Sequence, residues 1–150
     1  MQIKSHFLET YEAAAAGKLS DWEATPDGAL ALLIVLDQFP RNMFRDHADA
    51  YSTDHLALAI AKGAVDARLD ERLQPQERKF LYMPFQHSEN LDDQNRALLL
   101  FTELGDDEQI KYAKHHRGII ERFGRFPHRN AILGRASRPD EIAAEADKPW

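Results

Sequence analysis

The chain has 150 residues, which is the usual size of one domain, and its 43% hydrophobic and 29% charged residues exclude a disordered or low-complexity protein. The absence of cysteine excludes disulfides, thiolate zinc sites and cysteine nucleophiles, and the net charge of −6 argues against a general nucleic-acid-binding protein. The longest apolar run, residues 29–36, is far shorter than the ~20 residues that a membrane helix needs. No signal-peptide core opens the chain, so we expect a soluble cytoplasmic protein without membrane contact.

Apolar periodicity predicts helices along nearly the whole chain. The first, with apolar residues at three- and four-residue steps between Ile3 and Ala14, is expected to end near Gly17. A second should begin at Thr25-Pro26-Asp27, because threonine caps helices and proline suits the first helical position. Its run at residues 29–36 is apolar on every side, which favours a central buried helix.

Five further helices are predicted to begin at or near Ser52, Pro75, Leu91, Asp106 and Ser137. Pro84 should kink or end the helix that contains it, because proline cannot donate a backbone hydrogen bond. No strand-like alternation and no linker is present, so the prediction is a single all-α domain spanning residues 1–150. A strict 34-residue repeat is absent, but successive helices of this length predict antiparallel pairs in a solenoid-like array.

Polar side chains interrupt the apolar faces of three of these helices: Asp37, His87 with Glu89, and His116 with Arg117. Burying such groups without partners costs a few kcal/mol, so they are expected to be matched. They either form an ionic network that only fixes helix register, with Asp37 or Glu89 accepting from Arg117, or they line a cleft.

Two turns of similar composition could contribute to that cleft. FPRN at residues 39–42 and FPHRN at residues 126–130 each follow an apolar helix, the second with one residue inserted. Each combines an aromatic anchor and a proline with an exposable arginine and asparagine.

The stretch from residue 111 to residue 138 is locally basic, with eight lysines and arginines against a single acid. Lys111, Lys114 and Arg122 are expected on a solvated helix face. Arg125 and Arg129, like Arg117, are predicted to bind a ligand or to form buried pairs, because the guanidinium fork matches carboxylate and phosphate groups. RNA contact stays open, since a local patch can override the net charge.

Motifs for metal and nucleotide binding are weak or absent. The seven histidines include no HExxH pattern, and the adjacent His115 and His116 would point about 100° apart on a helix. A His87, Glu89 and His116 site is conceivable, but no metal or cofactor is predicted. No phosphate-binding glycine loop is present, and no G-x-S-x-G turn surrounds Ser88.

Three segments resemble the bacterial family catalogued as domain of unknown function 924: LDQFPRN at residues 36–42, MPFQHSE at residues 83–89, and His116-Arg117 followed by GRFPHRN at residues 124–130. The resemblance extends from about Phe7 to Ile142 and implies a tetratricopeptide-like all-α fold, but no reaction. Members of this family usually begin with a tryptophan- and phenylalanine-rich segment, which is expected to be missing here. Trp150 or a second copy of the chain could cover the resulting gap.

Two classes of function follow. The first is a binding module whose cleft holds an anionic small molecule or an acidic peptide. Its predicted ligand-binding residues are Asp37, Arg41, Asn42, His87, Glu89, His116, Arg117, Arg125, His128, Arg129 and Asn130. The second is a small enzyme in which His116 or His87 is the general base, oriented by Glu89 or Asp37. A protein–protein scaffold and a homo-oligomer are further alternatives.

Overall fold

The computed structural model describes residues 2–45 and 47–148, with side chains from residue 8 onward, so Trp150 and the side chain of Phe7 lie outside the described residues. All regular structure in these ranges is helical, which confirms the all-α class. The α-helices are α1 (Gln2–Ala15), α2 (Pro26–Leu33), α3 (Phe39–Met43), α4 (Asp54–Asp66), α5 (Pro75–Gln86), α6 (Leu91–Leu104), α7 (Asp107–Phe123), α8 (Asn130–Leu133) and α9 (Pro139–Ala143). None of the described helices is long and apolar enough to cross a membrane.

The predicted capping residues begin several of these helices. The Thr25 hydroxyl accepts from the Gly28 amide at 3.0 Å, and Asp106 accepts from the Gln109 amide at the start of α7. Gly105 ends α6 with a φ of +77°, a left-handed conformation that glycine adopts without strain. These caps fix where the long helices begin and end.

A π-helical turn at Ile34–Gln38 joins α2 to α3, and it depends on Pro40. Proline has no amide hydrogen, so the Leu36 carbonyl loses its usual helical donor. The buried Thr53 hydroxyl donates to that carbonyl instead, at 2.7 Å, and the Phe39 amide donates to the Ile34 carbonyl five residues back. Thr53 is the N-cap residue of α4, and its side chain stabilises the π-helical turn instead of capping its own helix. π-Helical turns are frequent at functional sites.

The core lies between the predicted central helix and its neighbours. Leu32, Leu33 and Leu36 are almost fully buried, as are Phe85 and Phe101. Helix α2 packs on α4 and α5, and α5, α6 and α7 contact one another in chain order. The central buried helix is therefore confirmed, whereas the tetratricopeptide-like arrangement of the helix pairs stays a prediction.

Pro84 was predicted to kink or end its helix, and the helix does not end there. Helix α5 continues to Gln86, and the His87 amide closes it by donating to the Met83 carbonyl at 3.0 Å. The ring removes one hydrogen bond but leaves the next residues in helical conformation. His87 and Glu89 consequently follow immediately after the end of α5.

Candidate functional site

The π-helical turn and the end of α5 meet at one buried carboxylate, that of Asp37, and the 3₁₀ segment Pro127–Arg129 reaches the end of α5 through Arg129. Its side chain is 1% exposed and accepts from His87 Nδ1 at 2.8 Å, Arg41 Nη1 at 3.1 Å and Gln38 Nε2 at 2.7 Å. Burial raises the pKa of Asp37, but His87 and Arg41 lower it by more, so the net shift is downward. Asp37 is therefore an ionised anchor that fixes the orientation of the His87 ring.

Arg41 is held on every side by carboxylates and a carbonyl. Its Nη1 and Nη2 atoms donate to the two Asp54 oxygens, both at 2.9 Å, and Nη1 also donates to the Asp37 carbonyl at 2.8 Å. Burial lowers the pKa of Arg41, but Asp37 and Asp54 raise it by more. This bidentate pair ties α3 to the start of α4.

Arg129 is buried without a carboxylate of its own. Its side chain is 8% exposed, and the nearest acid is Asp54, 3.9 Å from Nη1 and already bound by Arg41. Its Nη2 donates to the His87 carbonyl at 3.0 Å, while its buried Nε has no hydrogen-bond partner within the described residues. Burial and the charge of Arg41 lower its pKa. The guanidinium is thus a poorly matched buried cation.

Aromatic rings hold this guanidinium in place. Its central carbon lies 4.5 Å from the centre of the Tyr51 ring and 4.7 Å from that of Phe126. Cation–π contacts of this length favour a charged group without neutralising it. Phe126 in turn packs edge-on against the ring of His116, with the centroids 5.5 Å apart.

Two cavities of about 330 Å³ and 270 Å³ share a wall formed by Tyr51, His87 and Arg129. We call the two together the cleft. The smaller cavity, the basic lobe, is also lined by Arg41, Arg45, Ala50, His116, His128 and Ile132. The larger one, the apolar lobe, adds Leu58, Pro84 and Leu133 together with Asp54, His55, Ser88 and Glu89.

Two histidines of the basic lobe, His116 and His128, are neutral near pH 7. Burial lowers the pKa of His116 to about 4, although the hydrogen bond from its Nδ1 to the Tyr112 carbonyl acts in the opposite direction. Burial, followed by the charge of Arg129, lowers the pKa of His128 to about 4 as well. The fixed charges of this lobe therefore come from its arginines and from the carboxylates that they bind.

Those arginines outnumber the carboxylates. Arg41, Arg45 and Arg129 line the basic lobe, and the acids that face them are Asp37 and Asp54. Arg45 is exposed and forms no ion pair with any residue that the structure describes. Among the described residues, the arginines of this lobe exceed the carboxylates that face them by one charge.

A second group of charged and polar residues lies on the other side of the turn at residues 126–130. We call it the C-terminal network, and it consists of Arg125, Asn130, Arg135, Glu141 and Glu89. The fully buried Glu141 carboxylate accepts from Arg125 Nε at 2.9 Å and Nη2 at 2.8 Å, from Asn130 Nδ2 at 3.0 Å and from the Arg138 amide. These bonds, that of Arg125 first, lower the pKa of Glu141 to about 2. The network therefore has a complete internal partner for each of its charges.

Glu89 joins the C-terminal network to the cleft. Its carboxylate accepts from Arg135 Nη1 at 2.9 Å and Nη2 at 3.1 Å and from the Phe126 amide at 2.6 Å. Burial raises the pKa of Glu89, but the bonds from Arg135 and Phe126 lower it by more. Through the Phe126 amide, Glu89 thus fixes the position of the turn at residues 126–130.

Comparisons with known proteins agree with this architecture. A family model described as bacterial protein of unknown function, DUF924, matches residues 1–146. The chain belongs to this family. A protein of unknown function from Agrobacterium tumefaciens has a similar solved structure, with a TM-score of 0.90 and 40% sequence identity over 95% of this chain and 81% of that one. No curated protein shows significant similarity.

The three motifs that suggested the DUF924 family contribute unequally to the cleft. The structure brings six of the predicted residues to it or directly beneath it: Asp37, Arg41, His87, His116, His128 and Arg129. Glu89 also borders the apolar lobe, but its carboxylate is bound by Arg135. The conceivable metal set of His87, Glu89 and His116 does not form, and the described residues contain no group of three ligands placed to hold a metal ion.

Four predicted residues lie elsewhere. Arg125 and Asn130 bind Glu141 in the C-terminal network. Arg117 donates to Asn95 and, at 3.0 Å, to Glu121, so the expected pairing with Asp37 or Glu89 is wrong. Asn42 is exposed and lines neither lobe.

Sequence reasoning missed Tyr51, Asp54 and Arg45 in the cleft and Arg135 and Glu141 in the network. Asp54 and Glu141 both stand in first helical turns, where an acid is already explained by the helix dipole. Arg45 lies only four residues after Arg41, a spacing that could have marked it.

Proposed function

We propose that this DUF924 protein binds an anionic small molecule in the cleft, with Arg129 as the central cation. The observation that carries the proposal is the burial of Arg129 without a carboxylate of its own. Charges in protein interiors are normally paired, and a buried arginine that shares a distant acid is a good receptor for an anion. An anion bound there would complete the pairing and reverse the downward shift of the Arg129 pKa.

The dimensions of the cleft favour a small molecule over a peptide. The larger lobe, about 330 Å³, falls within the usual range of ligand pockets, which is roughly 300–1,000 Å³, and the smaller lobe, about 270 Å³, adjoins it. The aromatic packing of Arg129 and its bond to the His87 carbonyl hold the guanidinium in place before a ligand arrives. Such preorganisation lowers the entropic cost of binding. An acidic peptide is the alternative ligand.

Calorimetric titration with inorganic phosphate, succinate and a peptide ending in two glutamates tests the proposal. Arg45→Gln removes an exposed cation of the basic lobe that has no ion pair with the described residues. We expect it to weaken binding of the anion at least fivefold, while the equally exposed Arg122→Gln on α7 leaves binding unchanged. Equal effects of the two substitutions would identify nonspecific screening and contradict a site. Tighter binding of the peptide would replace the small molecule as the ligand.

A second candidate function is general-base catalysis by His87. Asp37 fixes the His87 ring through the 2.8 Å bond to Nδ1, and no hydrogen bond engages Nε2 among the described residues. In this arrangement Nε2 can take a proton from a bound ligand or from water, and Asp37 stabilises the resulting imidazolium. Any anion that binds should be followed by NMR for turnover. Loss of turnover with intact binding in His87→Gln would support an enzyme, whereas no turnover in the unmodified protein leaves a binding module.

A further inference from the structure

The carboxylates and the serine hydroxyl that line the apolar lobe are bound within the protein, and the exposed His55 is a further polar residue there. Asp54 is bound by Arg41 and Glu89 by Arg135, and the Ser88 hydroxyl donates to Asp93 at 2.7 Å. The carbon surface of this lobe comes largely from Leu58, Pro84 and Leu133. A ligand group that entered it would therefore gain more from apolar contact than from hydrogen bonding.

The basic lobe has the opposite character. Three guanidinium groups border it, those of Arg41, Arg45 and Arg129. Arg41 is already bound by Asp37 and Asp54, so Arg45 and Arg129 are the two that hold no bidentate carboxylate among the described residues. A carboxylate carries one charge and two oxygens, which a single guanidinium fork can satisfy. A phosphate monoester carries a charge of about −1.5 to −2 and three terminal oxygens, and it makes use of several donors at once. Two guanidinium groups beside one lobe, neither with a bidentate carboxylate among the described residues, favour the higher charge of a phosphate.

We propose that the ligand is a phosphate monoester with an apolar substituent, whose phosphate lies against Arg129 and Arg45 in the basic lobe and whose substituent occupies the apolar lobe. This inference rests on the proposed anion-binding function and adds the class of ligand. The shared wall of Tyr51, His87 and Arg129 places the two lobes side by side. A ligand that crosses this wall would contact both lobes.

The test is a series of n-alkyl phosphates, from methyl to pentyl, together with inorganic phosphate and the matching alkyl carboxylates, titrated by calorimetry at constant ionic strength. Each methylene group that enters the apolar lobe should tighten binding about fourfold. Phosphates should bind more tightly than the carboxylates of equal chain length. Leu133→Ser should flatten the dependence on chain length and leave the affinity for inorganic phosphate unchanged.

Leu99→Ser is the matched control, because Leu99 is 56% exposed on α6 and borders neither lobe. Leu58→Ala is a second variant of the apolar lobe, should Leu133→Ser fail to fold. Binding of phosphate with no dependence on chain length would overturn this inference and leave the anion site intact. A steep dependence that survives both variants, or carboxylates as tight as phosphates, would also overturn it. No binding by any anion would overturn the proposed function as well.

Discussion

The cleft and the C-terminal network lie on either side of the same turn and use arginine in opposite ways. In the network, Arg125 meets both oxygens of the buried Glu141, and Arg135 meets both oxygens of Glu89. In the cleft, Arg129 is more deeply buried than Arg125 or Arg135. Its nearest carboxylate is nevertheless that of Asp54, which lies 3.9 Å away and is already bound by Arg41. Adjacent residues of the turn are divided between these regions, since Arg129 faces the cleft and Asn130 binds Glu141.

The difference distinguishes arginines that stabilise the fold through an internal carboxylate from an arginine that is available to bind a ligand. A buried ion pair with complete hydrogen bonding loses several kcal/mol when one partner is removed, because the other charge is left unmatched. Removing Arg129 leaves no such orphan, because Asp54 keeps the bidentate bonds from Arg41. The network should therefore dominate stability, and the cleft should dominate binding.

Breaking the network gives the largest expected effect. Glu141→Gln should lower the free energy of unfolding by about 3 kcal/mol, because it removes a fully buried carboxylate from the half-buried Arg125 and from Asn130. For a chain of this size that is a fall of roughly 6–12 °C in Tm, measurable by circular dichroism.

Arg129→Met is the matched substitution on the cleft side and should change the free energy of unfolding by less than about 1 kcal/mol. It should nevertheless abolish anion binding. Similar losses of stability in Glu141→Gln and Arg129→Met would contradict the distinction between the two regions.

Acid titration should separate the two regions by pH. The lowered pKa of about 4 for His116 and His128 means that the unfolded chain takes up protons first, near pH 6.5, so stability falls as the pH drops from about 6.5 to about 4. Glu141 has a lowered pKa of about 2, so its contribution is lost only below about pH 4.5. Urea unfolding at each pH measures both windows.

Variants assign these windows to their residues. His128→Gln should reduce the slope of the upper window, to which His116 also contributes. Glu141→Gln should reduce the slope of the lower window, to which Asp37 and Glu89 contribute as well because their pKa values are lowered. An unchanged slope between pH 6.5 and 4.5 in a folded His128→Gln, His116→Gln double variant would show that these histidines do not cause the upper window.

The π-helical turn supports the cleft from below, so its disruption should have an intermediate effect. Thr53→Val removes the donor to the Leu36 carbonyl and leaves that buried acceptor without its partner. Such a loss costs about 1–3 kcal/mol. Thr53→Ser keeps the hydroxyl and should recover most of the stability. Because Asp37 lies within this turn, Thr53→Val should also weaken anion binding. Retained binding at reduced stability would show that the position of Asp37 does not depend on Thr53.

Local signals predicted the fold well because they act within a few residues. Thr25 and Asp106 cap helices where their positions indicate, and Gly105 separates α6 from α7. The π-helical turn was not predicted, because it depends on the hydrogen bond from the Thr53 hydroxyl to the Leu36 carbonyl, which joins residues more than ten positions apart. Hydrophobic periodicity contains no information on such a contact.

The candidate site was predicted only in part, for a related physical reason. His87 and Asp37 interrupt apolar faces, and the structure joins them. The distribution of the arginines depends instead on which carboxylate each one reaches. Glu141 binds Arg125 and Asp54 binds Arg41. Both acids stand in first helical turns, so nothing in the sequence indicates that they pair with arginines. A count of arginines along the chain cannot separate Arg125 from Arg129.

Arg117 gives the smallest expected effect and the sharpest check on this division. Its side chain is 35% exposed and pairs with Glu121, which is itself 59% exposed, and it borders neither lobe. Exposed pairs of this kind contribute about 0.2–0.5 kcal/mol, so Arg117→Ala should move Tm by no more than about 2 °C. Anion affinity should equal that of the unmodified protein in the same titration that Arg45→Gln weakens. A comparable loss of affinity in Arg117→Ala would mean that the positive field of α7, rather than the matched geometry around Arg129, attracts the anion.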